Sequence, residues 1–183
     1  MFAYELSPEV MRLVFGLALL IAGTGALTDY RTGHIPNWLT LPPLVIGPVG
    51  YAFAFGVEAF FAVLVGILVC SVVPLIMFRL GGMAGGDVKL FAAIAAIVGP
   101  DVGLEGEFLA FVVAGIYSLG RLTWDGKLFR TLGNTLALGV NPVLPKRLRR
   151  TVTPELRETL RLGGAIFAGL LISVLGHFRA EFY

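Results

Sequence analysis

Apolar residues along this chain form runs long enough to cross a lipid bilayer, separated by shorter polar stretches. The runs lie near residues 10–28, 38–56, 59–78, 88–100, 108–120 and 162–178. About 20 apolar residues in a helix cross the hydrocarbon core, and several runs approach that length. The pattern therefore predicts an all-α polytopic membrane protein with six transmembrane helices. Since no repeat or low-complexity tract divides the chain, we expect residues 1–183 to form a single membrane-embedded domain.

The composition agrees with this class of protein. Hydrophobic residues make up 57% of the chain and charged residues 14%, and the mean hydropathy of +0.86 excludes an ordinary soluble domain. One cysteine, Cys70, excludes an intramolecular disulfide and a cysteine-rich zinc site. His34 and His177 are predicted on opposite sides of the membrane and would not share a metal ion. We therefore expect no metal, no cofactor and no nucleic-acid partner.

The distribution of positive charge predicts the orientation. If the N-terminus lies outside and the chain crosses six times, twelve of the fourteen Lys and Arg residues fall in the cytoplasm: Arg31, Arg79, Lys89, Arg121, Lys127, Arg130, Lys146, Arg147, Arg149, Arg150, Arg157 and Arg161. The positive-inside rule favours this arrangement in a multi-pass protein of the cell (inner or cytoplasmic) membrane. The polar loop at about 121–161 is then cytoplasmic. Its basic run at residues 146–150 is expected to bind anionic membrane lipid or, alternatively, an acidic partner or substrate.

Two aspartates lie at ends of apolar runs on the predicted cytoplasmic side. Asp29 ends the first run, and Asp87 begins the fourth, directly after the glycine-rich segment 81–86. A charge close to hydrocarbon is costly, so each aspartate is a candidate functional residue and the other is its natural partner. Gly85 and Gly86 have no side chains and would let a substrate backbone or a neighbouring helix approach Asp87.

Two neighbouring carboxylates can perform the chemistry of an aspartic protease. The pair shares one proton, so the ionised member can take a proton from attacking water while the other protonates the peptide carbonyl oxygen. Asp29 lies at the C-terminal end of its predicted helix and Asp87 at the N-terminal end of its own. The helix dipole then favours Asp29 as the acid and Asp87 as the base, within a pair that titrates as one unit.

Other functions use the same residues differently. The aspartates could bind a cation or proton in a transporter, although both lie at one face rather than near the membrane midplane. A non-catalytic assembly scaffold would keep its function without either carboxylate. A presenilin-like protease would carry Tyr-Asp and Pro-Ala-Leu motifs, whereas this chain has the order Asp29-Tyr30 and no Pro-Ala-Leu.

Two short motifs identify a resemblance. Residues 29–37 are DYRTGHIPN, similar to D-x-R-x-x-x-I-P-N, and residues 85–90 are GGDVKL, similar to G-G-D-x-K-L. Over about residues 10–120 the chain resembles the type IV prepilin peptidases, which are GxGD intramembrane aspartic proteases. One departure is Ala84, at the first glycine of GxGD. The resemblance implies that Asp29 and Asp87 are the catalytic pair. Six further residues are expected to support the motifs or the substrate: Arg31, Pro36, Asn37, Gly85, Gly86 and Lys89.

The resemblance also implies a substrate. It predicts cleavage of the leader peptide of a pilin-like precursor at the cytoplasmic membrane face, after a glycine and before the apolar stem. The precursor would belong to a type IV or tight-adherence (Flp) pilus, a related secretion system, or an archaeal flagellin-like system. Since the sequence has no CxxC pair, we expect the short peptidase-only type without a methyltransferase segment. The oligomeric state is left open.

Overall fold

The described part of the chain is helical. A computed structural model describes residues 7–124, 126 and 162–180, which form α-helices joined by turns, with no strand among them. The helices are α1 (Pro8–Thr32), α2 (Asn37–Phe55), α3 (Val57–Arg79), α4 (Gly85–Trp124) and α5 (Gly163–Ala180). Helices α1 to α4 are long and apolar enough to cross a membrane, and α5 has a shorter apolar stretch, Gly163–Phe178. The predicted all-α, multi-pass class is confirmed, and the orientation remains a prediction.

Helix α4 has two arms, and the second, as far as Val113, runs antiparallel to the first. Gly99 has φ 81° and ψ 173°, which interrupts the helix before Pro100. The rings of Phe91 and Phe111 stack with centroids 5.7 Å apart, whereas 20 residues of straight helix would separate them by about 30 Å. The chain therefore reverses at Gly99. The predicted runs 88–100 and 108–120 correspond to these arms, so the described residues contain six helical segments, and the number that cross the bilayer remains a prediction.

The first arm of α4, residues 85–98, is packed among the neighbouring helices. Every residue from 90 to 99 is buried. Glycines of α2 and α3 pack directly on this region: a Cβ at Gly47 would lie 2.7 Å from the carbonyl carbon of Ala96, and one at Gly66 would lie 2.9 Å from Cβ of Pro100. A helix enclosed by neighbours is apolar on all sides. Asp87 is thus carried on the first turn of a helix that is almost completely surrounded.

Helices α1 and α5 pack antiparallel. The rings of Phe15 and Phe178 meet edge to face at 5.6 Å near one end of the pair. Near the other end, a Cβ at Gly163 would lie 3.1 Å from Cα of Ala26. This arrangement brings the first residue of α5 to the last turns of α1, where Asp29 lies.

The chain divides into two compact units, Met1–Val113 with Thr159–Tyr183, and Ala114–Glu158. All predicted site residues belong to the first unit. Most of the predicted loop at about 121–161 lies outside the described residues, including the basic run 146–150. The expectation of a single domain therefore stays a prediction.

Candidate active site

Asp29 is buried one turn before the end of α1, with 7% of its surface exposed. The helix ends at Gly33, which has φ 67° and donates its N–H to the main-chain oxygen of Asp29 at 2.8 Å. A glycine in the left-handed region is a common helix C-terminus because it has no Cβ to strain. The Asp29 carboxylate points away from this turn: its Oδ2 accepts a hydrogen bond from the N–H of Gly163 at 3.1 Å.

Asp87 is the third residue of α4 and is 2% exposed. Its Oδ2 accepts a hydrogen bond from the N–H of Ala84 at 3.2 Å, and its own N–H donates to the oxygen of Ala84 at 3.2 Å. This is the acidic half of a capping box, in which the third helical side chain satisfies the N–H of the N-cap residue. No described residue other than glycine has a positive φ, so Ala84 adopts ordinary backbone. The backbone at this position therefore does not require glycine.

Asp29 and Asp87 both lie near the contact between α1 and α4. Gly25 lies one turn before Asp29, Leu90 lies one turn after Asp87, and a Cβ at Gly25 would lie 2.9 Å from Cδ2 of Leu90. The two carboxyl groups are near enough for the charge of Asp29 to act on Asp87, although burial acts on Asp87 more strongly. Two aspartates that are distant in the sequence are thus both buried near the same helix contact.

The connection between α1 and α2 rests on the first turns of α4. Ile35 is 3% exposed, and a Cβ at Gly86 would lie 3.1 Å from Cβ of Ile35. Lys89 donates from Nζ to Oδ1 of Asn37 at 2.9 Å. The two sequence motifs are therefore in direct contact, and the neighbour that approaches Gly86 is this connection.

The remaining predicted site residues lie at helix ends. Arg31 is exposed in the last turn of α1, and Pro36 is the half-buried N-cap of α2. Gly85 is the first residue of α4, and a Cβ there would make an ordinary contact with the ring of Phe78 at 3.4 Å. None of these three is described in contact with either carboxylate.

The sequence does not single out Gly163, the residue that donates to Asp29. It lies 134 positions along the chain from that aspartate, at the start of the last apolar run. Glycines are frequent throughout the apolar runs, so nothing in the local sequence distinguishes this one. The contact is visible only once α5 is packed against α1.

Two neighbouring carboxyl groups are able to carry out proton transfer. Within residues 7–124, 126 and 162–180, no three His, Cys, Asp or Glu side chains are grouped so that they could hold a metal ion. The site that the structure describes consists of two carboxyl groups, each with a main-chain N–H donor, beside the connection from α1 to α2.

Residues 13–119 match the family model described as the type IV leader peptidase family. The chain belongs to the type IV leader peptidase family. The matched region contains both aspartates and both motifs, and it ends before α5. The resemblance found in the sequence is thereby confirmed, while the roles of individual residues remain predictions.

Two archaeal members of this family show the relationship at the level of single proteins. Prepilin peptidase EppA of Methanocaldococcus jannaschii is 29% identical over 89 residues, which cover 49% of this chain and 24% of that protein. Prepilin peptidase EppA of Methanococcus maripaludis is 35% identical over 92 residues, which cover 46% of this chain and 24% of that protein. The matched region is thus about a quarter of either relative. No solved structure shows a significant match.

Proposed function

We propose that this protein is an aspartic endopeptidase that removes the leader peptide of pilin-like precursors at the cytoplasmic face of the cell membrane. The observation that carries the proposal is the pair of buried carboxylates, Asp29 and Asp87, at the contact of α1 and α4 inside the family-matched region. The family description supports the reaction, and the names of the two archaeal relatives support the substrate class.

The proposed reaction uses one proton shared by the pair. The ionised aspartate takes a proton from water as the water oxygen bonds to the scissile carbonyl carbon, and the protonated aspartate gives its proton to the carbonyl oxygen. As the resulting gem-diol collapses, the C–N bond breaks and the leaving nitrogen receives the proton taken from water. A gem-diol hydroxyl returns its proton to the other aspartate, which restores the pair and yields a leader acid and a free amine.

The proposed substrate enters from the end of the helices where the connection from α1 to α2 contacts α4. A pilin-like precursor has a polar leader followed by an apolar stem, so the cut would fall where the stem leaves the membrane. Lys89 and Asn37, joined by a hydrogen bond at this end, would hold the rim of the site in place. Type IV, Flp-type and archaeal flagellin-like precursors share this chemistry and are the substrates to compare.

The test is cleavage of a pilin-like precursor by the purified protein in detergent, with the product mass measured by mass spectrometry. Asp29→Asn and Asp87→Asn should each lower turnover at least about 10²-fold, because each removes one of the proton-transfer groups. Asp101→Asn is a matched control, since Asp101 is exposed at the distant turn between the arms of α4. A chelator should leave turnover unchanged.

Substantial cleavage by either aspartate variant would contradict the proposed pair. Retention of pilus or secretion function by both variants in cells would favour a scaffold instead. Loss of activity on chelation that added zinc restores would indicate a metal-dependent reaction.

A further inference from the structure

We infer that Gly163, the first residue of α5, is a positioning residue that holds the carboxyl group of Asp29 in its reactive orientation. The inference rests on the proposed function, because it assigns Asp29 to the reaction. It adds to the site a helix that lies outside the family-matched region, residues 13–119.

The first observation is the hydrogen bond from the N–H of Gly163 to Oδ2 of Asp29, at 3.1 Å between two buried residues. The first N–H groups of a helix have no partner within that helix. The N–H of Gly163 is therefore available to an outside acceptor, and the carboxylate of Asp29 supplies one. A main-chain donor has no rotamers of its own, so its direction is fixed by the position of α5.

The second observation is the closeness of the two helices at this point. A Cβ on Gly163 would lie 2.9 Å from Cβ of Asp29, 3.0 Å from its Oδ2 and 3.1 Å from Cα of Ala26. Two of these three atoms are fixed by the backbone of α1, so a change of side-chain rotamer would not relieve the overlap. Any side chain at residue 163 must displace α5 from α1 and with it the donor.

The glycine is required by this contact and not by its backbone conformation. Gly163 is absent from the described glycines with positive φ, so an alanine could adopt the same backbone angles. Its neighbour Gly164 is exposed and would meet nothing within 4 Å if it carried a Cβ. Of these two adjacent glycines, only Gly163 contacts Asp29, so Gly164 is its matched control.

A third glycine, Gly169, provides a control that distinguishes loss of the Asp29 contact from a general loss of helix packing. Gly169 lies on the same helix, and a Cβ there would lie 2.6 Å from Cα of Ala110 and 2.7 Å from the oxygen of Gly106. Its substitution would disturb the packing of α5 against α4 at a point six residues along the helix from Gly163. It has no described contact with either aspartate.

The experiment compares Gly163→Ala, Gly164→Ala and Gly169→Ala in the full chain, measuring kcat, KM and the thermal unfolding midpoint with a pilin-like precursor. Small displacements of reacting groups lower rates steeply. We expect Gly163→Ala to lower kcat roughly tenfold or more with KM within about twofold, and Gly164→Ala to match the parent. Gly169→Ala should lower the unfolding midpoint while its folded fraction keeps the parental kcat.

A second measurement does not require Gly163→Ala to fold. In protein labelled with ¹⁵N-glycine, Asp29→Asn should shift the amide resonance of Gly163 and leave that of Gly169 unchanged. A parental kcat in Gly163→Ala, an equal kcat loss in folded Gly169→Ala, or an unmoved Gly163 resonance would overturn the inference. Failure of the proposed function is a separate outcome, since it appears as a parent protein that does not cleave.

Discussion

At the scale of single residues, main-chain groups hold both carboxylates. Asp29 accepts from the N–H of Gly163 and Asp87 from the N–H of Ala84. The C-terminal end of α1, taken alone, favours Asp29 as the acid. The structure places the N-terminus of α5 against the same carboxylate, so two dipoles of opposite sign meet there. The dipoles therefore do not decide which aspartate is the acid.

The donor to Asp87 can be tested without changing a carboxylate. Ala84→Gly keeps the N–H and should leave turnover at the parental level, because the backbone at this position suits either residue. Ala84→Pro removes the N–H that donates to Asp87 Oδ2 and should lower kcat by about 10²-fold, by analogy with other lost preorganising donors. Both variants are assayed with the pilin-like precursor.

Thermal unfolding of the two Ala84 variants provides the control. Proline is accepted at the N-cap of α2, where Pro36 stands, so a helix start of this chain can carry it. If folded Ala84→Pro turns over as fast as Ala84→Gly, the hydrogen bond to Asp87 does not orient the reacting group.

At the scale of helices and their connections, the sequence predicts features that depend on neighbouring residues in the chain. Continuous apolar runs predict the helices, and Gly99 followed by Pro100 marks the reversal between the arms of α4. Motifs at residues 29–37 and 85–90 identify the two aspartates because each motif is contiguous. The contact of Gly163 with Asp29 depends on the packing of helices 134 positions apart. Close packing needs a small residue there, but small residues also occur where nothing approaches, as at Gly164.

The contact between the α1–α2 connection and α4 leads to a second prediction. A Cβ at Gly86 would already lie 3.1 Å from Cβ of Ile35, so the two branches of a valine would push the connection off α4. Gly86→Val should therefore abolish cleavage of the precursor while both carboxylates remain. Gly85→Ala is the matched control, because its Cβ would meet only the ring of Phe78 at 3.4 Å.

Thermal unfolding of Gly86→Val must show a folded protein before its activity is interpreted. A folded Gly86→Val protein that cleaves at the parental rate would mean that the connection does not shape the site. An equal loss in Gly85→Ala would indicate that any added bulk at the start of α4 is harmful, and would remove Ile35 from the explanation.

At the scale of the whole molecule, three basic residues lie at the same end of the first unit as the two candidate aspartates. Arg31 and Arg79 lie in the last turns of α1 and α3, and Lys89 lies on the first turns of α4. These are the ends that carry or adjoin Asp29 and Asp87. The positive-inside rule predicts that this end faces the cytoplasm, which is where the proposed function requires the leader of an unprocessed precursor to remain.

This orientation is tested by adding single cysteines and labelling intact cells with an impermeant thiol reagent. Cys70 is 1% exposed and should stay unlabelled, so the parent protein should give no labelling signal. Ser7→Cys, at the exposed start of α1, should react, because the predicted topology places the N-terminus outside. Thr131→Cys, in the predicted cytoplasmic loop at 121–161, should react only after the membrane is permeabilised. The reverse pattern would place Asp29 and Asp87 at the outer face, where they could not process a leader retained in the cytoplasm.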